Sequence, residues 1–103
     1  MSVLLNFAMF PTDKGGSVSD YVAKVIAFLR ESGVNYKLNP MGTSIETETM
    51  EEALQVVNEA YKILEPHSDR IYTTINIDAR KGPVGRISAK IDSVESKIGK
   101  VRK

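Results

Sequence analysis

Tyr36-Lys37-Leu38-Asn39-Pro40-Met41-Gly42-Thr43-Ser44-Ile45-Glu46-Thr47, at the middle of the chain, is the segment on which the fold turns. Asn, Pro and Gly at the first, second and fourth places of Asn39–Gly42 suit a type I turn, because the Pro ring presets the backbone angle that the second place needs. The short extended runs on either side, Tyr36–Asn39 and Thr43–Thr47, then read as a β-hairpin.

Each flank of the hairpin carries a helix and then a strand. On the N-terminal side, Val18, Tyr21, Val22, Val25, Ile26 and Leu29 recur at helical spacing. Ser17 with Asp20 makes a capping-box-like start, and Gly33 supplies the left-handed residue that stops the helix. Ahead of it, Val3–Phe10 (VLLNFAMF) is apolar on both faces and bounded by Pro11, as a central strand is. On the C-terminal side, Thr49 with Glu52 forms a second capping box, opening a helix with the stripe Met50, Ala53, Leu54, Val57, Tyr61 and Leu64 that Pro66 ends. Arg70–Arg80 then alternates, with Ile71, Thr73, Ile75, Ile77 and Ala79 on one face and Tyr72, Thr74, Asn76, Asp78 and Arg80 on the other. The order βαββαβ predicts an α+β, ferredoxin-like plait: a four-stranded antiparallel sheet with both helices on one face and the other face open. Beyond Lys81-Gly82-Pro83, the apolar residues Val84, Ile87, Ile91, Val94, Ile98 and Val101 are spaced 3, 4, 3, 4, 3, which predicts a C-terminal helix with a narrow seam. Such a helix can lie on its own domain or pack on a neighbouring subunit.

Composition narrows the function. A length of 103 residues, 42% hydrophobic and 26% charged, predicts one packed domain spanning residues 1–103. The absence of Cys excludes disulfides, thiolate metal sites and cysteine nucleophiles, and a single His removes multi-histidine metal sites. Fourteen basic against thirteen acidic residues give a net charge of +1, so no global field draws nucleic acid or an anionic membrane. The apolar start lacks the flanks of a signal peptide and no run is long enough to span a bilayer, so a cytoplasmic chain is expected.

Catalytic and metal-binding readings find little support. His67, Ser68 and Asp69 are neighbours in a loop, whereas a triad converges from distant segments. Glu46, Glu48, Glu51 and Glu52 could ligate a cation, yet Glu51 and Glu52 stand in a helix's first turn, where carboxylates favour the dipole in any case. Lys14-Gly15-Gly16-Ser17 precedes a helix but lacks P-loop spacing, so a turn with a cap is favoured over a phosphate-tolerant rim. RNA binding on such a sheet needs aromatics on its central strands, and Thr43–Thr47 has none. Met41-Gly42-Thr43-Ser44-Ile45-Glu46 draws more interest, with a hydroxyl and a carboxylate leaving a tight turn. Thr43 can be a strand former and Glu46 a solvent-facing charge. Alternatively, Glu46 is a counter-charge or acceptor for a cationic or amino-bearing ligand and Thr43 a directional hydrogen-bond partner.

The order Pro11, Gly15-Gly16-Ser17, Tyr36 to Glu46 with its Pro-Met-Gly-Thr-Ser-Ile-Glu stretch, and a last strand Arg70 to Arg80 ending Asp-x-Arg resembles the small thiamine-binding protein family related to the double-domain YkoF protein. The resemblance implies a ferredoxin-like fold, assembly into dimers and tetramers, and binding of thiamine or its hydroxymethylpyrimidine part. It carries Thr43 and Glu46 over as ligand-site residues. An aminopyrimidine has donor and acceptor edges and a flat face, so the polar residues Asn6, Glu46 and Asn76 are further ligand-site candidates beside Thr43. The expectation is a non-enzymatic carrier, buffer or sensor without catalytic residue, metal or cofactor, in a homo-oligomer built as a dimer of dimers. The alternative is a dimeric ferredoxin-like enzyme, an isomerase or oxygenase, acting on a small hydrophobic substrate in the same cleft.

Overall fold

The computed structural model describes residues 1–16 and 18–103. The elements follow in the order β1 (Ser2–Pro11), α1 (Ser19–Ser32), β2 (Asn35–Asn39), β3 (Gly42–Thr47), α2 (Met50–Leu64), β4 (Ile71–Arg80) and α3 (Arg86–Ile98). A short 3₁₀ turn, Glu65–His67, closes α2 at Pro66. The strands form one antiparallel sheet in the order β2-β3-β1-β4, the predicted plait. β2 and β3 are joined by Pro40 and Met41 alone, since Asn39 pairs with Gly42. No described non-glycine residue has positive φ, which agrees with a type I turn and excludes the primed types.

β1 is the spine of the sheet. Val3, Leu5, Phe7 and Met9 are buried under α1 and α2, while Leu4, Asn6, Ala8 and Phe10 alternate onto the open face, half-covered. Leu29 and Val25 of α1, Ile45 of β3, and Ala53, Ala60 and Leu64 of α2 complete the core. The α2 stripe holds at Ala53, Val57 and Leu64 but not at Met50, Leu54 and Tyr61, which are exposed, while Ala60, outside the stripe, is buried with Val56 beside it. Alanines allow the close approach of helix to strand, and a search for large apolar residues passes over one such as Ala60.

Thr49 caps α2 as predicted, Oγ1 accepting from the Glu52 N–H at 3.1 Å, while the Glu52 carboxylate takes the Thr49 hydroxyl proton at 2.9 Å where a full capping box would take the Thr49 N–H. Gly33 ends α1 at φ 79°. The cap expected from Ser17 with Asp20 lies outside the described residues. α3 stops at Ile98 before Gly99, so Val101 falls beyond the helix and the apolar seam is cut short. No described residue of α3 is buried. No described helix is long and apolar enough to cross a membrane.

Candidate functional site

Register decides which of the expected ligand residues can meet. Thr43 stands opposite Phe7 and shares the helix-covered face of the sheet. Ser44 stands opposite Asn6, Asn6 opposite Asn76, and Glu46 opposite Leu4, all on the open face. Thr43 and Glu46 are three residues apart on one strand, so their side chains leave opposite faces. Asn6 and Asn76 are cross-strand neighbours.

Thr43 reaches the open face through a notch. β3 pairs with β1 only from Thr47 back to Thr43, opposite Val3 to Phe7, while β1 runs on to Pro11. Past Phe7 the β1 edge is bare, and the gap between Ala8–Phe10, the β2–β3 turn and the first half of α1 is a cavity of about 440 Å³. Its lining includes Val22 and Val25 from α1, Met9 and Phe10 from β1, and Met41 and Thr43 from the hairpin. A volume of this size lies in the range of small-molecule pockets, and the lining is mainly apolar with few polar atoms, as in such sites. Thr43 is only 5% exposed, and among the described residues its hydroxyl makes no hydrogen bond. Among the described residues no buried side-chain polar atom is sealed off without a partner, so the Thr43 hydroxyl opens onto the cavity that it lines.

Gly42 shapes the mouth of the notch. A Cβ there would stand 3.0 Å from the Phe7 carbonyl oxygen and 3.2 Å from Asn6 Nδ2. The glycine therefore lets the Asn6 amide fold down over the rim. Ser44 Oγ donates to Asn6 Oδ1 at 3.2 Å, which orients the amide. Gly42, Ala8 and Thr74 form a floor of small residues, and beside it Phe10 and Tyr72 stand with ring centroids 5.9 Å apart, tilted by 44°.

Glu46 has partners within the chain. Its Oε2 accepts from the Ser2 hydroxyl at 2.6 Å and from the Gly85 N–H at 2.9 Å, and its Oε1 accepts from the Ile87 N–H at 3.3 Å. The carboxylate thus sits on the first turn of α3, where free N–H groups and the helix dipole favour an anion. Burial pushes its pKa up, but the hydrogen bonds from Ser2 and from the Arg86, Ile87 and Gly85 N–H groups outweigh that and hold it below the usual glutamate value. Arg86 completes the anchor, donating from Nε to Ser2 Oγ at 2.9 Å and from Nη1 to Asp78 Oδ2 at 2.7 Å. Sequence reading missed this anchor, because Ser2 and Arg86 lie 84 positions apart. The clue available was a strand glutamate ahead of a helix whose own first turn holds no acidic residue.

The remaining motifs resolve into structure. Ser68 donates to Asp13 Oδ1 at 2.6 Å, and the His67 ring packs against Tyr21 with centroids 5.8 Å apart and planes tilted by 59°. Glu48, Glu51 and Glu52 line a wider hollow of about 780 Å³ with Glu46, but among the described residues no three acidic or imidazole groups are placed to hold a metal ion.

Comparison with known proteins places this architecture. The family model described as Thiamine-binding protein matches residues 5–95, which takes in the notch, the hairpin and, of the α3 anchor, every residue but Ser2. The chain belongs to the thiamine-binding protein family. A UPF0045 protein of Methanothermobacter thermautotrophicus is 37% identical over 83 residues, covering 80% of this chain and 84% of the relative. A UPF0045 protein of Mycobacterium bovis is 32% identical over 95 residues, covering 92% and 93%. The crystal structure of the hypothetical protein MJ1052 from Methanocaldococcus jannaschii superposes with a TM-score of 0.79 at 30% identity, covering 90% of this chain and 95% of that one. Like this family member, it has the ferredoxin-like fold.

Proposed function

We propose that the protein binds thiamine or its hydroxymethylpyrimidine part without transforming it, as a carrier, buffer or sensor, and that the ligand's flat ring enters the notch beside Gly42. The observation that carries this is the unpartnered Thr43 hydroxyl opening onto an apolar cavity of about 440 Å³ in a chain of the thiamine-binding family. Phe10 and Met41 offer apolar faces to a ring, Thr43 a directional hydrogen bond, and Asn6 an amide over Gly42 at the mouth, with Asn76 opposite it on the next strand. Glu46 contributes from a distance, fixing α3 and Ser2 at the far end of the same open face.

The enzymatic alternative lacks a motivating pair. General acid–base work needs a titratable group at the reacting atom, and among the described residues the lining of the cavity holds no Asp, Glu, His, Lys, Tyr or Cys side chain. Assembly into a homo-oligomer belongs to the proposal too, with a dimer of dimers as its form. Calorimetric titration of the purified chain with thiamine and with hydroxymethylpyrimidine tests the reading. Saturable one-to-one heat per chain is expected, and flat titrations at millimolar ligand would remove it.

A further inference from the structure

The open face has a polar row whose charge does not suit a purely cationic ligand. Register places Lys37 of β2, Ser44 of β3, Asn6 of β1 and Asn76 of β4 side by side across the whole sheet. Neighbouring side chains in such a row stand about 5 Å apart. Because Ser44 donates to Asn6 Oδ1, the acceptor end of the Asn6 amide is engaged and its N–H₂ end is left over Gly42 at the mouth of the notch. Lys37 is half-buried and, among the described residues, joins no ion pair.

The carboxylates of this face are in the next row, and both are engaged. Glu46 receives the Ser2 hydroxyl and the first N–H groups of α3, and Asp78 receives the Arg86 guanidinium. Among the described residues, the strands therefore present on this face an ammonium that joins no ion pair and amide N–H groups, with both strand carboxylates engaged. A thiazolium alone would find no counter-charge here. A group rich in acceptor oxygens would find three sets of donors.

We propose that Lys37, with the Asn6 and Asn76 amides, forms an anion subsite that receives a phosphate ester on the tail of the ligand held in the notch. This rests on the notch reading above. The polar row lies two residues along the strands from the floor of Gly42, Ala8 and Thr74, about 7 Å away. A ring lying on that floor with a short ester tail spans the interval. The Lys37 ammonium supplies the charge, and the amides supply neutral donors on the β1 and β4 side.

Calorimetry on the full chain with thiamine, thiamine monophosphate and inorganic phosphate, for the wild type and Lys37→Met, tests the subsite. The monophosphate is expected to bind about ten-fold or more tightly than thiamine, the scale of one charge-assisted hydrogen bond. Lys37→Met abolishes that advantage and leaves thiamine affinity unchanged, Lys37→Arg keeps most of it, and added salt erodes it. Thiamine binding with no preference for the monophosphate would overturn the subsite and leave the notch reading standing. A preference that persists in Lys37→Met, or inorganic phosphate alone binding as tightly as the ester, would equally reject it. No binding of any of the three rejects subsite and notch together.

Discussion

At the scale of single residues, the site depends on one hydroxyl and one missing side chain. Thr43→Val removes the hydroxyl while keeping the shape of the side chain. Because that hydroxyl has no partner within the described chain, thermal stability should stay near that of the wild type. Ligand affinity should fall by about 0.5–1.5 kcal/mol, the net worth of a typical hydrogen bond. Paired melting and calorimetry check this, and an equal loss in both would make Thr43 structural. Gly42→Ala acts by intrusion: the Phe7 carbonyl at 3.0 Å is backbone and yields little, so the Asn6 amide is displaced and the hairpin strained. A destabilisation of about 1–3 kcal/mol by urea unfolding is expected, together with weakened binding. These residues were partly legible. The Pro-Met-Gly-Thr segment could be singled out from its turn chemistry, but grouping Thr43 with Glu46 ignored strand parity, which puts residues three apart on opposite faces. The notch itself was not legible, since it arises because β1 outruns β3 in space.

At the scale of elements, local signals were read well where they act locally. The Thr49 cap, the Gly33 stop and the Pro66 end all formed, because each rests on contacts a few residues apart. The α3 anchor was invisible for the opposite reason, bringing together Ser2, Glu46, Asp78 and Arg86 from three strands and a helix. It also titrates. Glu46 has a folded pKa below its ordinary value of 4.5, so its stabilisation is fully present above that value and is lost as pH falls through the lower folded one. Glu46→Gln should therefore be less stable than the wild type at neutral pH by about 1–3 kcal/mol, the cost of leaving charged hydrogen bonds unmade. The gap should narrow below pH 4.5 in parallel denaturation series. A gap independent of acidification would mean that the carboxylate charge does not hold α3.

At the scale of the whole molecule, the plait was legible because its element order leaves few topologies, whereas the coverage of its surfaces was not. β4 is an edge strand with Ile75 and Ile77 exposed, and α3 displays Val94 and Ile98, the latter 74% exposed. Apolar surface of this kind on a small domain favours a second copy. Light scattering should show a dimer or, on the dimer-of-dimers expectation, a tetramer. Ile98→Asp, at a site that contributes nothing to the core, should lower the order of assembly without lowering the stability of the subunit. An unchanged mass in that variant would take α3 out of the interface.

The central claim is that a flat ring enters the notch at Gly42. Amide chemical-shift mapping during a thiamine titration of the full chain tests it most directly. The account predicts that the largest shifts fall on Ala8, Phe10, Gly42 and Thr43, with smaller ones along the row of Asn6 and Asn76. Shifts concentrated instead around Glu48, Glu51 and Glu52 would contradict it.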